Sequence, residues 1–149
     1  MKPKPPEAVV LMGLPGAGKS TFCRERFFRS HVRINLDMLR TRRREQLLLR
    51  ACLDGQQSFV IDNTNPGRAD RARYLVPARG AGFVCIGYWL RAGVAEAMER
   101  NAERSGRERV PDAAVRGTAR KFEPPELAEG FDALHAVDLT PEGYVVTAL

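Results

Sequence analysis

Short runs of apolar residues alternate along this chain with longer segments in which apolar and polar residues recur at helical spacing. The runs predict strands, because a buried strand reads as roughly four to eight consecutive apolar residues. The predicted strands are Ala8–Met12, His31–Asn35, Phe59–Asp62, Phe83–Leu90, Leu134–Leu139 and Tyr144–Val146. The predicted helices between them are Lys19–Phe28, Asp37–Asp54, Arg68–Ala81, Val94–Asn101 and Asp112–Phe122.

This order of elements predicts an α/β fold. Strands that alternate with helices of roughly ten or more residues are typical of a parallel sheet covered on both faces. We therefore expect a three-layer sandwich with a central, mostly parallel sheet. The ligand site of such a sheet lies beyond the carboxyl ends of its strands. That rule selects the segments Gly13–Thr21, Asn35–Arg40, Asp62–Asn65 and the region after Leu90.

Length and charge limit the class of protein. A chain of 149 residues is long enough for one domain with a full core, so we expect a single domain over residues 1–149. Residues 1–7 are predicted to form a flexible amino terminus. The chain carries 24 basic and 18 acidic residues, a formal net charge of +6. Such a charge favours a polyanionic partner, although an arginine-rich protein without that partner has the same balance.

The cysteines and the apolar runs bear on location. Cys23, Cys52 and Cys85 are odd in number and show no paired zinc spacing, so we expect small buried residues of a reducing compartment. The amino terminus lacks the apolar segment of a signal peptide, and no apolar run approaches membrane-spanning length. We therefore expect a cytoplasmic protein that does not contact membranes.

The first strand end carries a phosphate-binding motif. The sequence from Gly13 to Ser20 fits G-x-x-x-x-G-K-[ST] and stands between a predicted strand and a predicted helix. Its glycines allow successive N–H groups to point at phosphate oxygens, and the helix terminus adds a favourable dipole. Lys19 would reach the β- and γ-phosphates and the Ser20 hydroxyl would bind Mg²⁺. The expected ATP-binding residues here are Gly13, Pro15, Gly16, Ala17, Gly18, Lys19, Ser20 and Thr21.

The second strand end offers a candidate base. Asp37 could orient an acceptor hydroxyl and accept its proton, as phosphoryl transfer requires. Arg40 follows three residues later and would share the helical face of Asp37, where it could anchor a phosphate or carboxylate. The alternative is that Asp37 only caps the helix and Arg40 is a solvated surface residue. Both interpretations remain open.

The third strand end offers a candidate metal ligand. Asp62 closes an apolar strand beside a phosphate-binding loop, as does the acid that holds Mg²⁺ together with the loop hydroxyl in many nucleotide-binding proteins. We therefore expect Ser20 and Asp62 to form the metal site. Asn63, Thr64 and Asn65 follow, and these residue types also form turns without any further role.

The region after the fourth strand is rich in arginine and predicts a helical lid at about residues 100–111. Arg100 and Arg104 are four residues apart and lie on one face if the helix continues. An arginine from a mobile segment stabilises charge on the transferring phosphoryl group and contributes ~10³–10⁵ in rate in dissected cases. The alternative is a solvated helix end with Arg–Glu pairs.

Taken together, these segments resemble the 5′-kinase domain of polynucleotide kinase, in particular the animal-type DNA-repair kinase domain. The similarity runs from Val9 to about Val137. Its most specific parts are GLPGAGKSTF at 13–22, IDNTNP at 61–66, RARY at 71–74 and KFEPPELAEGF at 121–131. The phosphate-binding motif is shared by many kinases, whereas the other three parts are more selective.

The resemblance implies an enzyme that uses ATP and Mg²⁺ to phosphorylate the 5′-hydroxyl end of DNA or RNA. It implies catalytic roles for Lys19, for Asp37 as general base and for Arg104. The implied contacts to the acceptor are Asp37, Arg40 at the acceptor phosphate, and Asn63. The implied lid contacts to ATP are Arg100 and Arg104, and Asp62 matches the acid at the third strand end.

One departure and two alternatives accompany this resemblance. The family often has arginine directly before the general base, whereas this chain has Leu36, so the preferred acceptor stays open. A kinase of a small-molecule hydroxyl would use the same donor half, and a non-catalytic nucleotide switch would keep Lys19 and Ser20. No D-x-D-x-[TV] phosphatase motif is present, so we expect a kinase module alone, which could act beside separately encoded repair enzymes.

Overall fold

A computed structural model describes residues 3–149, apart from the side chain of Arg107. The strands are β1 (Glu7–Met12), β2 (Val32–Ile34), β3 (Phe59–Ile61), β4 (Val84–Leu90), β5 (Ala133–Thr140) and β6 (Gly143–Ala148). The helices are α1 (Lys19–Phe27), α2 (Leu36–Leu39), α3 (Arg42–Asp54), α4 (Arg68–Gly80), α5 (Val94–Ala102) and α6 (Asp112–Lys121). Short 3-10 turns lie at Gly106–Glu108 and Leu127–Glu129.

The six strands form one sheet in the order β2-β3-β1-β4-β5-β6. The first five strands of this order run parallel, and β6 returns antiparallel to β5 after a tight turn. The prediction of a central, mostly parallel sheet is therefore confirmed. The carboxyl ends of β1, β2 and β3 lie at the same edge, which brings the three polar segments that follow them together.

The core consists of two apolar layers, one on each face of the sheet, and a small third cluster of Leu14, Ala97 and Val115. β1 is buried on both faces from Ala8 to Met12, as expected for a central parallel strand. Val10 packs in one layer with Leu75 of α4, and Val9 packs in the other with Phe22 of α1. This is the predicted three-layer arrangement. All three cysteines are buried, and burial raises the pKa of the Cys23 and Cys85 thiols to about 11.

The structure corrects one predicted helix. A continuous helix over Asp37–Asp54 is wrong, because α2 ends at Leu39 and α3 begins at Arg42. Arg40 interrupts the helix with a positive φ of 77°, and the Thr41 hydroxyl then accepts the Arg44 N–H as the cap of α3. The predicted strands and the remaining four helices begin and end within two residues of the observed bounds. The predicted helical lid at about residues 100–111 is not continuous, because α5 ends at Ala102 and only a short 3-10 turn follows at Gly106–Glu108.

The amino-terminal segment is partly ordered by the sheet. Glu7, which lies within the range predicted to be flexible, belongs to β1, pairs with Val84 and donates its N–H to Ser58 Oγ at 2.9 Å. Residues 1 and 2 of that range lie outside the described residues. Across residues 3–149, no helix combines the length and apolar character needed to cross a membrane.

Candidate active site

The phosphate-binding loop connects β1 to α1 and packs directly against α5. Gly16 and Gly18 have φ angles of 87° and 95°, which favour glycine over residues with a Cβ. A Cβ on Gly16 would also collide with Ala97 O of α5, and one on Gly18 would lie 3.3 Å from the Tyr144 hydroxyl. The Tyr144 hydroxyl donates to Gly18 O at 3.2 Å. The loop is thus shaped by its glycines and held by α5 and β6.

Lys19 is buried at the start of α1, with its amine turned back into the loop. Nζ donates to Gly13 O at 2.9 Å and to Leu14 O at 2.8 Å. Burial lowers the pKa of Lys19 from 10.5 to about 8. The negative charges of Asp62 and Asp37 raise this pKa, and the positive charge of Arg104 lowers it further. The structure therefore brings the charges of Lys19, Asp37, Asp62 and Arg104 together, as the sequence predicts.

The predicted metal ligands are hydrogen-bonded to each other. Ser20 Oγ donates to Asp62 Oδ2 at 3.0 Å, and the Asp62 side chain is almost fully buried at the end of β3. Arg33 Nε donates to the same Asp62 oxygen at 2.9 Å. The sequence analysis missed Arg33, although its position near the carboxyl end of β2 was a signal for a residue of the site.

Hydroxyl and carboxylate oxygens are the ligands that Mg²⁺ prefers, so Ser20 and Asp62 fit such a cation. Within residues 3–149, no three His, Cys, Asp or Glu side chains are grouped as a metal cage. A divalent cation at this site would therefore depend on these two oxygens and on phosphate oxygens of a nucleotide.

Asp37 lies exposed in the first turn of α2, beside the groove described below. The cap of α2 is Asn35, whose Oδ1 accepts the Met38 N–H at 2.8 Å and whose Nδ2 donates to Asp62 O at 2.6 Å. The interpretation of Asp37 as the cap is therefore wrong. Its carboxylate is left available for another partner.

Asn63 holds α2 against the end of β3. Its Oδ1 accepts the Leu36 N–H at 2.9 Å, and its Nδ2 donates to Glu45 Oε2 and to the Tyr74 hydroxyl at 3.2 Å each. Glu45 is buried and also accepts from Tyr74 at 3.1 Å and from Arg42 at 2.8 Å. The amide of Asn63 is thus occupied by protein groups, which makes it a positioning residue for α2 in this structure.

Arg40 does not lie beside Asp37 in the way that the sequence suggested. The argument from a shared helical face fails because α2 ends at Leu39. Arg40 is exposed and is not among the residues that line the groove, whereas Arg33 and Arg42 are. Arg33 and Arg42, which the sequence analysis did not single out, therefore line the groove near α2 in place of the predicted Arg40.

The β3–α4 loop is fixed by a buried ion pair. The fully buried Arg71 donates through Nε and Nη2 to Glu129 at 2.7 and 3.1 Å, and through Nη1 to Asn65 O and Pro66 O. Asn65 Nδ2 donates in turn to Leu11 O of β1 at 2.8 Å. The RARY and LAEGF segments are thus joined in space, and their contact shapes the loop that follows Asp62.

The lid arginines differ in their surroundings. Arg100 donates to Ala17 O at 3.3 Å and pairs with Glu96 at 2.9 Å, so it joins α5 to the phosphate-binding loop. Arg104 lines the groove beside Lys19 and donates to Glu108 O at 3.3 Å. Buried Asn101 binds the N–H and C=O of Val110 at 3.0 and 2.7 Å and so closes the segment between α5 and α6.

A groove of about 1250 Å³ begins at the carboxyl edge of the sheet and continues along α1 as far as Phe28 and His31, which precede β2. Eight predicted site residues line it: Pro15, Lys19, Ser20, Thr21, Asp37, Asp62, Asn63 and Arg104. A separate cavity of about 60 Å³ lies on the other side of the phosphate-binding loop, between Arg100 and Tyr144. The larger groove has room for more than a nucleotide's phosphates, since ligand sites for small molecules are roughly 300–1,000 Å³.

Comparison with known proteins bears on this site. The family model AAA_33, described as an AAA domain, matches residues 9–125. This chain belongs to that family. A curated relative, the bifunctional polynucleotide phosphatase/kinase of Schizosaccharomyces pombe, is 28% identical over 135 residues that cover 88% of the chain. The chain spans about a third of that relative's length, since the match covers 33% of it. The predicted resemblance to polynucleotide kinase is thereby confirmed.

Solved structures share the fold. Kti12 of Chaetomium thermophilum in complex with ADP-AlF3 is 17% identical, with a TM-score of 0.70 over 88% of both chains. A gluconokinase from Sinorhizobium meliloti 1021 is 20% identical, with a TM-score of 0.60 over 91% of this chain and 84% of that one. Together with the order of the strands, these findings show that this AAA_33 chain shares the fold of these proteins.

Proposed function

We propose that this protein is an ATP- and Mg²⁺-dependent polynucleotide kinase that transfers the γ-phosphate of ATP to the 5′-hydroxyl end of DNA or RNA. The observation that carries the proposal is the meeting of Asp37, Lys19 and Arg104 at one groove, beside the phosphate-binding loop. The relative's name, polynucleotide phosphatase/kinase, supports the choice of acceptor.

On the donor side, the phosphate-binding loop and Lys19 hold the phosphates of ATP. Lys19 Nζ now donates to two loop carbonyls, and it exchanges them for phosphate oxygens when ATP binds. The anionic phosphates favour the protonated amine, which opposes the lowering of its pKa by burial. Arg100, fixed to the loop at Ala17, lies close enough to act with the donor side.

Ser20 and Asp62 hold Mg²⁺ in this proposal, because their oxygens fit it and lie next to Lys19. The ion neutralises charge on the β- and γ-phosphate oxygens when it is bound. Arg33 already contributes a positive charge to the same Asp62 oxygen. A bound cation therefore competes with this guanidinium for Asp62.

On the acceptor side, Asp37 accepts a hydrogen bond from the 5′-hydroxyl and orients it for in-line attack. The hydroxyl oxygen bonds to the γ-phosphorus, the bond from that phosphorus to the bridging oxygen of ADP breaks, and the proton passes to Asp37. Lys19 and Arg104 stabilise the charge that develops on the transferred group. Catalysis of this kind consists mainly of positioning and electrostatic stabilisation.

The test is transfer of label from γ-labelled ATP in the presence of Mg²⁺. We expect label on DNA or RNA oligonucleotides with a 5′-hydroxyl and none on the same oligonucleotides with a 5′-phosphate. Asp37→Asn removes the label, whereas Asp54→Asn, a change of an exposed aspartate at the end of α3, keeps it. Label on gluconate or a nucleoside but on neither polymer would contradict the proposal and indicate a small-molecule kinase.

A further inference from the structure

One face of α1 forms a wall of the groove that extends far beyond the phosphate-binding loop. Ser20, Arg24 and Phe28 all line the groove, and their spacing of four residues places them along one side of the helix, next to Thr21, which also lines the groove. Phe28 lies eight positions after Ser20, which corresponds to about 12 Å at the helical rise of ~1.5 Å per residue. The wall therefore runs well past the point of phosphoryl transfer.

Two large apolar side chains are exposed on this part of the groove. Phe28 is 79% exposed and Met38 is 52% exposed, and both line the groove. A single exposed apolar residue needs no explanation, but these two share a groove with the candidate base, which is adjacent to Met38 in sequence. Each side chain can therefore offer apolar contact to the flat face of a ligand in the groove.

Cationic side chains accompany them. Arg33 Nη1 lies 3.7 Å from Met38 Sδ, and Arg24 is exposed one helical turn before Phe28. In the described part of the chain, no hydrogen bond or ion pair engages the Arg24 guanidinium. We name the set Arg24, Phe28, Arg33 and Met38 the acceptor arm.

The charge of this arm differs from that of the rest of the groove. The carboxylates that line the groove are Asp37 and Asp62 at the reaction site, and Asp70 and Glu108 on α4 and the lid. None belongs to the arm, and Asp62 is already paired with Arg33. A ligand on the arm thus meets apolar and positive groups together, the combination that single-stranded nucleic acids bind.

We propose that the acceptor arm binds the nucleic-acid strand a few nucleotides behind the 5′-hydroxyl, with nucleobases on Phe28 and on Met38 and the backbone phosphates near Arg24. This inference rests on the proposed function and deepens it. Stacking on an aromatic side chain accepts any base, because every base has a flat face. The arm therefore provides affinity for a strand without selecting its sequence.

The span of the arm makes acceptor length the decisive variable. A nucleoside 3′-phosphate has a 5′-hydroxyl but is too short to reach a side chain about 12 Å along α1. We expect Phe28→Ala to raise the KM of a ten-nucleotide acceptor about tenfold, in line with the energy of base stacking on aromatic residues. The same change leaves the KM of the nucleoside 3′-phosphate and of ATP within twofold, and Phe28→Trp retains the wild-type KM.

The experiment measures label transfer to both acceptors, together with binding of a fluorescent ten-nucleotide strand by anisotropy. Val76→Ala is the matched control, because Val76 is 69% exposed on α4 and does not line the groove. An unchanged oligonucleotide KM and affinity in Phe28→Ala would overturn the arm while the proposed function stands. An equal loss with both acceptors would also overturn it. Absence of oligonucleotide phosphorylation by the wild type would overturn the proposed function itself.

Discussion

Replacement of Asn63 by alanine tests whether Asn63 positions the proposed base, Asp37, by holding α2 in place. Asn63 touches neither the phosphate-binding loop nor, in our interpretation, the substrate, yet its amide fixes the first N–H of α2. The change leaves the Leu36 N–H without its acceptor and removes one donor from the buried Glu45 carboxylate. Lost hydrogen bonds of these two kinds cost about 1–3 kcal/mol each.

The expected loss in the free energy of unfolding is about 2–4 kcal/mol, because Arg42 and Tyr74 still bind Glu45 and limit the damage. For a domain of this size, that corresponds to a fall in Tm of roughly 4–16 °C. The effect on catalysis is larger, since a displacement of about 1 Å in a reacting group costs on the order of 10²-fold in rate.

Steady-state kinetics with a 5′-hydroxyl oligonucleotide, below the transition temperature of the variant, measures this effect. We expect kcat to fall about 10²-fold while the KM for ATP stays within twofold, because the donor side is held by separate contacts. Gln56→Ala, which removes exposed hydrogen bonds far from the groove, serves as the control. A kcat within threefold of the wild type, or a rise in the ATP KM as large as the fall in kcat, would refute the reasoning.

Three further predictions follow from the buried charges. The lowered pKa of Lys19, from 10.5 to about 8, means that the unfolded chain binds more protons between these values, so the free energy of unfolding rises by about 2 kcal/mol from pH 8 to pH 10. Urea unfolding at both pH values should show this rise in the wild type, and an equal rise in Lys19→Met would contradict it. Glu129→Gln leaves the buried Arg71 guanidinium without a carboxylate, so the free energy of unfolding should fall by about 3–5 kcal/mol. Urea unfolding measures this loss, and a loss below about 1 kcal/mol would rule the prediction out. Arg33→Gln removes the guanidinium that competes with Mg²⁺ for Asp62. The Mg²⁺ concentration at half-maximal ADP binding should therefore fall roughly threefold or more in calorimetric titrations. An unchanged Mg²⁺ concentration would contradict competition between Arg33 and Mg²⁺.

The sequence predicted those parts of the site that depend on local pattern. The phosphate-binding loop is contiguous, and Asp37 and Asp62 follow apolar strands whose parallel order brings their ends together. The expectation that Lys19, Asp37 and Asp62 meet therefore required only the motif and the alternation of strands and helices. The expectation for Arg104 came instead from the arginine-rich segment after β4 and from the resemblance to polynucleotide kinase. The structure supports both expectations with the charges that surround Lys19.

The parts that the sequence did not predict depend on contacts between distant residues. The pair of Arg71 and Glu129 joins positions 58 apart, and Asn63 meets Glu45 across 18. No periodicity indicates such partners. The interruption at Arg40 was missed for a different reason: the apolar pattern continues across it, and only Thr41 signals a new helix start.

The most direct test of the central claim is the rate of label transfer from γ-labelled ATP to a 5′-hydroxyl oligonucleotide by Asp37→Asn. Because Asp37 is exposed and caps no helix, its replacement should leave the fold and the affinity for ADP unchanged. The account predicts a fall of about 10²–10⁴-fold in kcat, the usual contribution of a positioned general base. A variant that binds ADP normally and transfers label within threefold of the wild-type rate would contradict the assignment of Asp37 as the base.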